Sequence, residues 1–108
     1  MAAATAVTVT QGTRQFPGLF SELFLVRATM DFGNLADAAG ETNTIAVPGV
    51  ALGDLVVGVS LGLDISGITV TAYVSAANVV SVRVQNESGG ALDILTSTVR
   101  VIVGRAAW

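Results

Sequence analysis

The sequence predicts an all-β fold: a compact antiparallel β-sandwich or barrel of about six strands, with an extended N-terminal arm. Three observations carry that expectation. Apolar and polar residues alternate with a period of two in one segment after another, as side chains on opposite faces of a strand require. Turn-forming residues separate the segments at Pro48-Gly49, at Gly53-Asp54 and at Asn86-Glu87-Ser88-Gly89-Gly90. No helical period longer than one turn is present.

Residues 1–18 stand apart as an N-terminal arm, and residues 19–108 form the domain. Val7 and Val9 alternate weakly with Thr8 and Thr10, which suits an edge strand or an extended arm pinned on a neighbour. Residues 11–18 then interrupt regular structure. Residues 19–32 give the first long strand, with Phe24, Val26, Ala28, Met30 and Phe32 on one face and Leu25, Arg27, Thr29 and Asp31 on the other. Residues 19–23 admit a short helical turn before it. Residues 33–41 read as a polar loop, and residues 42–47 as a short strand ending at a type II turn on Pro48-Gly49. Residues 55–61 are apolar on both sides, which predicts cover on both faces and places Val57 in a buried position. Residues 67–84 form a hairpin. Ile68, Val70, Ala72 and Val74 alternate with Thr69, Thr71, Tyr73 and Ser75, and Asn78 serves the turn. In the last strand, residues 96–103, Val99, Val101 and Val103 face inward, opposite Thr98, Arg100 and Ile102.

Composition narrows the function. Of 108 residues, 52% are hydrophobic and 12% charged, about half the usual charged share. So thin a charged coat on a small domain predicts self-association, because surplus apolar surface is commonly covered by another subunit. The net charge is −3, from eight acids and five arginines with no lysine. Arginine without lysine suits interface pairing with carboxylates, although codon bias explains it equally well. No basic cluster exists, so no nucleic-acid partner is expected. Ser, Thr, Asn and Gly interrupt the apolar runs at strand period, which argues against a membrane helix. The first residues lack the positive region of a signal peptide, so the protein is expected to stay in the cytoplasm where it is made until assembly or lysis.

Reactive chemistry is sparse. Histidine and cysteine, the usual acid–base and nucleophilic groups, are absent. The aspartates sit at strand ends and in loops without the ligand spacing of a calcium loop, and no carboxylate pair is marked out as glycosidase-like. No catalytic residue, cofactor or metal is therefore expected. Asn86-Glu87-Ser88 has the form of a glycosylation acceptor and reads as a chance match. Tyr73, on the polar face of its strand, fits a subunit interface better than a sugar-stacking role. Arg27 and Arg83, on strand faces, are further interface candidates. Trp108 is either frayed or an anchor in a neighbour's pocket.

Several segments resemble small structural proteins of tailed bacteriophages. They are Ala28-Thr29-Met30-Asp31-Phe32-Gly33, Val47-Pro48-Gly49-Val50-Ala51-Leu52-Gly53-Asp54, residues 69–78, Val80-Ser81-Val82-Arg83-Val84-Gln85-Asn86 and Thr98-Val99-Arg100-Val101-Ile102-Val103. Such domains look like capsid decoration (cement) proteins and the head domains of virion fibres. The resemblance implies a homotrimer on the outside of a phage head, touching the major capsid protein and stabilising its lattice. The arm would grip the capsid, with Arg14, Phe16, Val7 and Val9 as candidate contacts. The alternative is a receptor-binding or fibre-head domain holding a host glycan with its loops. A third possibility is a small hydrolase or lectin; the absence of histidine and of paired acids weighs against the enzyme, and a measured metal or sugar affinity would favour the lectin.

Overall fold

A computed structural model describes residues 3–12 and 18–108. Nine strands lie among them, and their partners are antiparallel throughout. The fold is all-β. The two longest strands, β2 (Phe20–Met30) and β9 (Ser97–Ala106), run side by side, with Val26 opposite Val101 and Arg27 opposite Arg100. Their inward residues Phe24, Val26, Ala28, Met30, Val99, Val101 and Val103 are all buried. Burying a valine or phenylalanine side chain contributes about 1.5–3 kcal/mol, so these two strands hold a large share of the core energy. β1 (Thr5–Gly12) and β5 (Leu55–Leu61) flank them, giving the order β1-β2-β9-β5.

A second sheet, of order β4-β7-β6, comprises β4 (Gly40–Ala46), β6 (Ile68–Ala76) and β7 (Val79–Asn86). Val80, Val82 and Val84 of its central strand are fully buried. The β6–β7 hairpin closes on Ala77-Asn78, where Asn78 takes φ 66°, a left-handed conformation that asparagine tolerates better than most residues. That turn docks on the type II turn at Pro48-Gly49. The Gly49 amide donates to Asn78 Oδ1 at 2.9 Å, the Asn78 amide donates to the Val50 carbonyl at 2.9 Å, and Gly49 has φ 102°. Two local turns are thereby locked into one rigid corner.

The apolar sides of both sheets belong to a single buried cluster. β1 touches the second sheet through a bridge between Ala3 and Thr44, where the Ala4 amide donates to the Thr44 carbonyl at 2.7 Å. A short ribbon, β3 (Gly33–Leu35) with β8 (Leu92–Ile94), adds Leu35 and Ile94 to the core.

Four expectations change. Residues 5–12 form the edge strand of the first sheet within this chain, with Val9 opposite Val26, while residues 1–2 and 13–17 of the proposed arm lie outside the described residues. Residues 20–23 continue β2 as strand rather than turning helically. Residues 33–35, expected as loop, pair with β8. Val57 is the extra residue of a β-bulge, since Val56 pairs with Val103 and Gly58 with Ile102. The bulge turns Val57 outward, 54% exposed, while Val56 and Val59 pack on the core.

Candidate functional site

The outer face of the first sheet carries the least expected arrangement. Cross-strand pairing sets Leu25 against Ile102 and, one row along, Arg27 against Arg100. Opposite side chains on one face have Cβ atoms about 5 Å apart, so two guanidinium stems stand side by side. Both arginines are exposed, and neither has a hydrogen-bond or ion-pair partner among the described residues. Thr8 and Thr10 of β1 border the pair, and the whole patch is a shallow, open depression. Leu25 and Ile102 remain 48% and 40% exposed beside it. The described residues that line the depression supply cationic donors and aliphatic flanks and include no acid.

The remaining described arginines are already occupied. Arg105 Nε donates to Asp54 Oδ1 at 3.0 Å and its Nη2 to Oδ2 at 2.9 Å, a bidentate pair whose Asp54 side chain is almost fully buried. Arg105 Nη2 also donates to the Gly49 carbonyl at 2.8 Å, and its guanidinium lies 6.0 Å from the centre of the Phe24 ring. Burial pushes the Asp54 carboxyl up, but the bonds from Arg105 and the Ala51 amide, with the charge of Arg105, outweigh it and hold the group below its ordinary range. The same bond to Asp54 raises Arg105. This pair fastens the end of β9 to the turn before β5 and is structural. Arg83 lies along the outside of the second sheet, donating to Thr42 Oγ1 at 3.1 Å and Gln85 Oε1 at 3.3 Å.

Acids gather at the end of the molecule away from that ion pair. Asp31, Asp37, Glu41, Asp64, Glu87 and Asp93 lie in the loops and strand termini around the β3–β8 ribbon, six of the eight acids in the chain. Asp64 and Asp93 border a cleft of about 200 Å³ whose walls include Leu63, Ile65, Leu92 and Leu95. Leu95 is 62% exposed. Several carboxylates perform turn work: Asp31 Oδ1 accepts the Gly33 amide at 2.9 Å, and Asp64 Oδ1 accepts the Ser66 amide at 3.0 Å. No three potential metal ligands converge among the described residues.

Asn86 ties this end together. Its fully buried side chain donates through Nδ2 to the carbonyls of Leu35, Ala36 and Gly90, at 3.2, 3.2 and 2.8 Å. Its Oδ1 accepts from the Ser88 amide at 3.0 Å and the Ser88 hydroxyl at 2.6 Å. The glycosylation-like triplet is thus an internal brace whose amide nitrogen is already engaged.

The residues singled out from the sequence are dispersed. Arg27 lies on the outer face of the first sheet. Tyr73, 48% exposed, and Arg83 share the outer face of the second as diagonal neighbours. Trp108, 81% exposed, follows the end of β9. Val7 and Val9 are half-buried against this chain's own core, so their side chains are committed inward rather than offered to a capsid. Arg14 and Phe16 lie outside the described residues. Sequence reasoning placed Arg100 outward but missed its pairing with Arg27, because only the β2–β9 register joins them. No family model matches the chain, and no curated protein or solved structure matches it.

Proposed function

We propose that this chain is a non-enzymatic structural protein of a tailed-phage virion, a capsid decoration (cement) protein that binds the outside of the head as a homotrimer. On this reading the two main sheets are the halves of a β-sandwich, and the partners are other copies of the chain and the major capsid protein. The supporting observation is the outer face of the first sheet: two arginines without a partner among the described residues and two half-exposed aliphatic residues on one strand-paired surface. A rigid sheet face of mixed charge and apolar character suits burial in an assembly. The segmental resemblance to phage virion proteins supplies the location.

The mechanism is mechanical. Trimers bridge neighbouring capsid subunits and resist the outward pressure of packaged DNA, with weak contacts summed over the lattice by multivalency. Since residues 5–12 belong to the fold, capsid gripping by the N-terminal segment falls to residues 13–17, with Arg14 and Phe16 as the contacts. The test is co-sedimentation of the purified protein with emptied capsids, followed by capsid thermal melting. Saturable binding that raises capsid melting temperature is expected, and absence of binding overturns the reading. A fibre-head role draws support from Trp108 and Leu52, apolar and strongly exposed at one end of the molecule. Binding to host cells without binding to capsids would favour it.

A further inference from the structure

The unpaired arginine face and the acidic cleft have matching chemistry. The face presents Arg27 and Arg100 beside Leu25 and Ile102. The cleft presents Asp64 and Asp93 beside apolar walls and the exposed Leu95. One surface is lateral and the other terminal, so a single copy cannot bring its own two patches together. We infer that the Arg27/Arg100 face of one copy docks on the Asp64/Asp93 cleft of the next, forming a heterologous contact between identical chains.

Three arguments choose a second copy as the occupant. Charge complementarity is the first: the face offers two cations uncompensated among the described residues, and the cleft, at the end holding six of the eight acids, offers two carboxylates. The guanidinium fork matches carboxylate geometry bidentately, which fixes orientation as well as attraction. The second is the exclusion of a two-fold alternative. A symmetric face-to-face dimer would bring four guanidinium groups together, and like charges across a contact are strongly unfavourable. The third is the aliphatic residues on both patches, which gain from mutual burial and would gain nothing from a free anion. A heterologous contact must close into a ring or propagate. Closure at three gives the trimer proposed above, and the inference rests on that self-association.

Native mass spectrometry and sedimentation of the full chain test it. Wild-type protein should associate and should dissociate progressively as salt screens the exposed charges. The double variant R27E/R100E should weaken association by about a hundredfold, the scale of like charges brought together across a contact. D64R/D93R should weaken it similarly. The combined variant R27E/R100E/D64R/D93R should recover association, because the complementarity is restored with its signs reversed. The milder R27A/R100A and D64N/D93N, with folding checked by circular dichroism, give the same direction if a reversal disturbs a turn. A trimer that survives R27E/R100E unchanged overturns this contact and leaves the trimer reading standing. A folded four-fold variant that stays monomeric overturns the pairing of face with cleft. Wild-type protein that is monomeric at every concentration overturns both.

Discussion

Asn86 offers the sharpest test of how this fold is held. Changing it to alanine removes the amide that bridges the Leu35, Ala36 and Gly90 carbonyls and the oxygen that receives both Ser88 donors. Since Nδ2 carries two hydrogens, its three contacts amount to about two full bonds, and Oδ1 adds two more. At about 1 kcal/mol net for each, partly offset where water replaces the lost partner at Ser88 and Gly90, the loss is about 3 kcal/mol. For a domain of this size that lowers the melting temperature by about 12 °C. Asn86→Asp is the more discriminating change, because shape is kept while a carboxylate oxygen is pointed at carbonyl oxygens. Burial and those carbonyls raise the introduced carboxyl's folded pKa above its unfolded value of about 3.9. The folded state then binds more protons than the unfolded one, so stability falls as pH rises through that window. The variant should approach wild type in acid and be at least as damaged as alanine at neutral pH. Thermal melts followed by circular dichroism from about pH 3 to pH 8 measure this. An Asn86→Asp variant melting within about 2 °C of wild type at neutral pH refutes the brace.

Other expectations follow from the same geometry. The depressed Asp54 carboxyl stabilises the fold above its ordinary value of 3.8, and that contribution disappears as pH falls through the lower folded value. Arg105→Gln should flatten this acid limb in urea titrations at stepped pH, and an unchanged profile would show that the pair does not carry it. Val57→Asp should leave the isolated domain folded, since the bulge points Val57 outward, whereas Val101→Asp should unfold it by burying an unpaired carboxylate. Equal damage from both would place the bulge wrongly. Deleting residues 1–12 should cost about 2–4 kcal/mol, as half-buried Val7 and Val9 and the β1–β2 ladder are lost. An unaltered denaturation midpoint would return that segment to the status of an arm.

The period-two segments were legible because each carries its own contrast. β2, β6 and β9 alternate clearly enough that Phe24, Val74 and Val101 are assigned inward without knowing any partner, and Pro48-Gly49 and Asn78 mark turns by backbone preference alone. The failures share a different cause. In β5 both faces are apolar, so a one-residue bulge that reverses the phase at Val57 leaves no mark in the sequence. β3 and β8 are three residues each, too short to show a period, and exist because each supplies the other's edge. β1 reads as an arm because its pattern is weak; what makes it a strand is the exposed edge of β2 beside it. The opposition of Arg27 to Arg100 is a product of register between strands far apart in the chain, and no local pattern encodes it.

That opposition also bears on why the surface has this composition. Like charges placed directly opposite on a sheet destabilise it, and threonine at either position would suit a solitary exposed strand better. A monomer selected for its own stability gains nothing from Arg27 and Arg100 together, nor from leaving Leu25 and Ile102 half exposed in the adjacent row. The contact proposed above would make all four features favourable, because an apolar surface carrying carboxylates would cover them. The corresponding trade-off is specific: Arg27→Thr should raise the melting temperature of the single chain while weakening the proposed self-association. If the same substitution lowered monomer stability, the arginine pair would have an intramolecular role, and the case for a contact at this face would lose its energetic basis.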